Sequence, residues 1–203
     1  MRVKLIALPP ALALLLGAAA ASTAPPPQSP IDNVETTESR VEPATGVSLG
    51  SFKVTFESTT FTDLARLGDA PIAQMGDAGE FVMWVCFTLS RDRQRLWFTS
   101  SELGGRKYVT GAIAQVLPAD ASASPDCPEL PTQFRPVRLD SGAWLGTTLE
   151  NLQQQFGPPW KTGSTAQFAY LGKDREYDVM STLVVELEDQ RVVALYANHS
   201  TTN

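Results

Sequence analysis

Histidine is almost missing from this chain: among 203 residues there is one, His199. A metal centre wants several His, Cys or carboxylate groups converging, and a Ser–His triad needs a firmly held imidazole. A single histidine four residues before the last residue argues against both, so neither a metal nor a catalytic triad is expected. Cysteine is nearly as scarce, with Cys86 and Cys127 alone and spaced far beyond a redox pair. Basic residues number 16 against 22 acidic ones. That balance excludes the basic face that nucleic acid or an anionic lipid surface would require. No apolar run reaches the roughly twenty residues needed to span a bilayer. No Gly-rich phosphate loop follows a strand and opens a helix, and Gly104 and Gly105 read as a hairpin turn. No cofactor is expected.

What is present begins with an export signal. Arg2 and Lys4 precede an apolar run over residues 5–17, and Ala18 to Ala21 offer the small residues of a cleavage site. Residues 1–21 are therefore expected to be removed, leaving no membrane span. Their loss takes away two cations and no acid, so the mature chain carries 14 basic residues against 22 acidic and a formal charge of −8. No cysteine stands at the cleavage point, so no lipid anchor is expected there. In an oxidising compartment two cysteines favour a disulfide, and Cys86–Cys127 would close a loop of about forty residues. The localisation that follows is periplasmic or secreted.

Two stretches lack the apolar content of a core. Residues 22–47 are rich in Pro, Ser, Thr and Glu and read as a flexible leader. Residues 118–137 hold Pro118, Pro125, Pro128, Pro131 and Pro136, which makes them a connector, neither helix nor central strand.

The connector separates two related segments. Residues 59–68 match residues 147–157 with one gap, and each match is followed by an apolar strand and a hairpin. In the second, Thr147 and Glu150 form a capping-box pattern, and Leu145, Leu149, Leu152 and Phe156 make one apolar stripe. Gly157 then ends the helix, and Pro158 and Pro159 prevent its continuation. Strands are expected over residues 167–171, 183–188 and 191–197, with Leu183, Val185 and Leu187 on one face and Val184, Glu186 and Glu188 on the other. In the first, Thr60 and Asp63 give the cap and Phe61, Leu64 and Leu67 the stripe. Strands follow over residues 81–89, 96–99 and 108–116. The expected class is α+β: two tandem repeats, residues 48–117 and 138–203, each a helix plus an antiparallel sheet of three or four strands.

Leu145, Gly146, Thr147, Leu149, Leu152, Phe156, Gly157, Pro158 and Pro159, followed by a strand and a Val-rich hairpin, resemble the SmpA/OmlA (BamE-type) outer-membrane assembly lipoproteins. Two such units in tandem are similar to the β-lactamase inhibitor protein family. The resemblance implies a scaffold that binds other proteins across an open sheet surface and performs no chemistry. The chain departs from the first family in lacking a cysteine after the signal, and from the second in having one cysteine pair, with none in the second repeat.

The candidate binding residues are Trp84, Trp97, Tyr108 and Glu186. Trp and Tyr on an exposed sheet dominate protein-binding hot spots. Alternation places Trp84 and Trp97 opposite the helix, where they either meet a partner, pack between the two repeats, or lie under the proline connector. Arg91, Arg93 and Arg95 form the only basic cluster, in a turn between strands. The expected function is a non-enzymatic exported scaffold whose partner is another envelope or secreted protein, with inhibition of that partner or an accessory part in envelope assembly as the two outcomes of binding. The alternative is a glycan hydrolase built on the acids of residues 174–178 and 186–189, which would have to face one another across a cleft at about 5–10 Å.

Overall fold

The computed structural model describes residues 25–31, 37, 39–77, 81–101, 105–174 and 176–202. The expected signal (residues 1–21) and Gly104 of the expected turn lie outside the described residues. The chain runs β1 (Gly46–Leu49), β2 (Phe52–Thr55), α1 (Phe61–Ala65), β3 (Ala73–Met75), β4 (Val82–Leu89), β5 (Gln94–Ser101), β6 (Gly111–Val116), β7 (Val137–Leu139), α2 (Leu149–Phe156), β8 (Trp160–Thr162), β9 (Thr165–Asp174), β10 (Tyr177–Glu188) and β11 (Arg191–Thr202). One antiparallel sheet has eight strands in the order β3-β4-β5-β6-β11-β10-β9-β8, and a small one has three, β2-β1-β7.

The expected α+β class with two tandem helix-plus-sheet repeats is corrected: the fold is mostly β. Among the described residues 48% are strand and 12% helical, and α1 and α2 are five and eight residues long. Helices this short cannot cover a sheet by themselves, so the layer opposite the large sheet is shared between them and the small sheet. Nor do two separate cores form. β6 pairs with β11 from Gly111–Asn198 to Gln115–Ala194, which makes the sheet continuous. A single buried cluster then takes Phe61 and Leu64 of α1, Leu149, Leu152 and Phe156 of α2, and Val47, Leu49, Val54, Val137 and Leu139 of the small sheet. The large sheet meets them with Val85, Phe87, Leu96, Phe98, Phe168, Leu183, Val185 and Leu195.

Local sequence accounts for both helix starts. Thr60 caps α1, accepting from the Asp63 backbone N–H at 3.1 Å and donating its hydroxyl to the Asp63 carboxylate at 2.6 Å. That hydroxyl holds the Asp63 carboxyl below its usual range. At α2 the cap is Thr148, accepting from the Asn151 N–H at 3.3 Å, one residue later than the capping-box pattern indicates. Thr147 instead accepts from the Trp144 N–H at 3.1 Å, which fixes the turn leading into the helix. Gly157 closes α2 at a φ of 97°, where a side chain would be strained.

The second hairpin is longer than alternation suggests. β10 and β11 have twelve residues each and carry polar residues such as Ser181, Asn198 and His199 into the sheet, because cross-strand pairing satisfies the backbone whatever the side chain. The outer strands β3 and β8 have only three residues each. They leave the edges of β4 and β9 partly open, and irregular segments take those positions. The connector adds to β4: the Thr88 N–H donates to Pro128 O at 2.8 Å and the Leu130 N–H to Thr88 O at 2.8 Å. Part of residues 22–47 adds to β9: the Ala169 N–H donates to Thr37 Oγ1 at 2.6 Å and the Ser39 N–H to Ala169 O at 3.1 Å. Ala44, fully buried, then exchanges hydrogen bonds with the Ser181 hydroxyl.

Candidate functional site

The large sheet has one face without helices, and its composition is unusually apolar. Strand register puts Trp160, Gln167, Val184, Tyr196, Ile113, Trp97 and Cys86 in one line across it, from β8 to β4. A solvated face of an antiparallel sheet normally reads as polar at these positions. Here the line is covered by the chain itself at its β4 end and over its middle.

At the β4 end the cover is the connector. Cys86 and Cys127 form a disulfide, with Cα atoms 4.7 Å apart. Trp84, Trp97, Ala73 and the two cysteines make one buried cluster, with Trp84 3% and Trp97 4% exposed. Two arginines of the basic cluster serve this cover. Arg93 donates to Leu117 O at 3.0 Å, and Arg95 donates to Ser122 O at 3.2 Å while its guanidinium lies 5.9 Å from the Trp97 ring centre.

Over the middle of the line Ile31 packs against the cluster of Val184, Ala194 and Tyr196. The Tyr196 hydroxyl donates to Glu186 Oε1 at 2.7 Å and accepts from Gln115 Nε2 at 3.3 Å. Burial, followed by the hydrogen bond to Glu186, pushes the Tyr196 phenol up to about 12.

The four expected binding residues are therefore not one surface. Trp84 and Trp97 are packed under the connector, and Glu186 is half-buried as the acceptor of Tyr196. Tyr108 stands before β6, bridged to Thr60, with the Lys107 ammonium 4.8 Å from its ring centre. The open part of the face lies elsewhere, where β9, β10 and β11 outrun β6. Leu171, Met180 and Ser200 share a line there, and with Lys173, Asp178 and Thr202 they line a shallow pocket of about 600 Å³. Leu171 is 55% exposed, whereas Tyr177 at the same end falls on the alternate phase of β10 and so on the opposite side of the sheet. The Lys173–Asp178 ion pair, 3.2 Å long, forms its rim. Leu171 and Met180 fall on the same alternation phase as Gln167 and Val184, and following that phase to residue 171 in one strand and back from residue 184 in the other would have found them.

The acids of the alternative reading do not converge. Asp178 and Glu186 lie on β10 eight residues apart, about 27 Å at the rise of an extended strand. The two acidic groups thus sit at opposite ends of the sheet, well beyond the separation a carboxylate pair needs for glycoside hydrolysis. His199 is not at a frayed end either. It lies within β11, 14% exposed, with Glu42 and Glu57 each 3.5 Å from its ring nitrogens. Glu57 also accepts from the backbone N–H and hydroxyl of Thr201, so the cluster ties residues 42 and 57 to the last strand. Among the described residues no group of three or more His, Cys, Asp or Glu is placed to hold a metal ion, and no helix is long and apolar enough to cross a membrane.

Compared with known proteins, the chain matches no family model, no curated protein and no solved structure.

Proposed function

We propose that this is an exported, periplasmic or secreted, non-catalytic scaffold that binds another envelope or secreted protein through the open end of its helix-free sheet face. The observation that carries the reading is the apolar pair of exposed Leu171 and half-buried Met180 lining a shallow pocket, on a face whose other half is already shielded. An exposed apolar patch with a polar rim is the usual chemistry of a protein-binding surface. The disulfide supports the compartment, since such bonds persist in oxidising surroundings. The wide separation of the acidic groups favours this reading over the hydrolase.

Replacing Leu171 and Met180 together by Asp should weaken partner capture at least ten-fold, in line with the loss of two hot-spot contacts. The melting temperature should fall only modestly, because Leu171 is largely solvated and Met180 half-buried. Gln154→Asp, on the exposed side of α2, is the control. Equal capture by all three chains would refute the assignment.

A further inference from the structure

The helix-free face has a second cover besides the connector, and it is held quite differently. The connector is locked by a disulfide and by backbone hydrogen bonds along β4. Ser29, Pro30 and Ile31 instead lie across the middle of the face, where Ser29 and Ile31 line a groove of about 220 Å³ with Ile113, Val184, Tyr196 and Asn198. The Ser29 hydroxyl both donates to Ile31 O at 3.1 Å and accepts from the Ile31 N–H at 3.3 Å. This local turn satisfies Ile31's own backbone and aims its side chain at Val184 and Tyr196. Pro25, Pro26, Pro27 and Pro30 carry no N–H and fix φ, so the segment is pre-set as an extended strip that loses little entropy on docking.

We propose that this groove is a binding site for an extended, proline-containing peptide bearing a branched apolar residue, and that residues 25–31 are its intramolecular occupant. A partner segment of the same chemistry enters by displacing Ile31, so the chain's own strip sets the threshold for binding. The inference deepens the scaffold reading and rests on it, adding a site some distance along the face from Leu171. Tethering gives the strip an effective concentration in the millimolar range, against which a free heptapeptide competes poorly.

The test uses the full exported chain, its Ile31→Asp variant and a labelled peptide of residues 25–31. Fluorescence anisotropy should show the peptide binding the variant at least ten-fold more tightly than the parent. A peptide with Ile31→Asp should bind neither. Amide hydrogen exchange at Val184 and Tyr196 should rise in the variant and fall again when the peptide is added. Ile31→Ser, a milder release, guards against a folding defect and should give the same order of affinities. Equal binding to parent and variants, or binding to none of them, overturns the groove assignment. Such a failure is distinct from failure of the Leu171 surface, which the Leu171 and Met180 substitutions read separately with the strip in place.

Discussion

Tyr196 reports on the helix-free face more directly than any other side chain. It sits at the centre of the line from Trp160 to Cys86, and its hydroxyl joins Gln115 of β6 to Glu186 of β10. Burial and the Glu186 carboxylate raise the phenol to about 12, whereas an unfolded tyrosine ionises near pH 10. The folded chain therefore keeps this proton where the unfolded chain has lost it. The stability it contributes is complete below pH 10 and is lost as pH rises from about 10 towards 12. Absorbance titration should resolve one late tyrosine near pH 12 that is absent in Tyr196→Phe. Glu186→Gln should move it down while leaving it above 10, since burial remains; an unmoved midpoint would detach Glu186 from the shift. At this scale the sequence was partly legible. Alternation put Trp84, Trp97 and Val184 on the helix-free side, where they are. It did not say which of them would be covered, because the covering segments have no period of their own.

Elements show where local signals suffice and where tertiary contacts decide. Thr60 and Thr148 cap their helices as short Thr-x-x patterns should, and Gly157 ends α2 with a positive φ. Thr148→Ala should lower the unfolding free energy by about 1 kcal/mol, and Thr148→Ser should restore most of it. Chemical denaturation of the two variants checks this; equal losses would mean that the methyl group, not the cap, matters. The one-residue offset from Thr147 to Thr148 arises because both are threonines, and Thr147 is drawn into the turn by the Trp144 N–H. The short outer strands were less legible. Trp160–Thr162 and Ala73–Met75 carry no alternation worth reading over three residues, yet their shortness frees the β4 and β9 edges on which the connector and the residues Thr37 and Ser39 lie.

At the scale of the whole molecule, the segments on either side of the connector share one large sheet and one main core, which is why a class built on separate helix-plus-sheet repeats misdescribes it. Pairing of β6 with β11 depends on segments some eighty residues apart, a relation that no local window contains. The disulfide was legible from cysteine count alone, and the structure adds what it does: it holds the connector over Trp84 and Trp97. Replacing Cys86 and Cys127 together by Ser should lower the unfolding free energy by about 2–4 kcal/mol, as expected for a loop of this length. Tryptophan emission should shift to the red as the cover loosens; unchanged emission would show that the connector stays down without its bond.

The central claim is that a partner meets the helix-free face at its open end. The most direct measurement is site-specific photo-crosslinking in the native envelope, with the photoreactive residue placed at Leu171 in one chain and at Gln154 on the helix side in another. The account predicts a discrete, saturable adduct from position 171 and none from position 154. Adducts from 154 alone, or the same adducts from both positions, would contradict it.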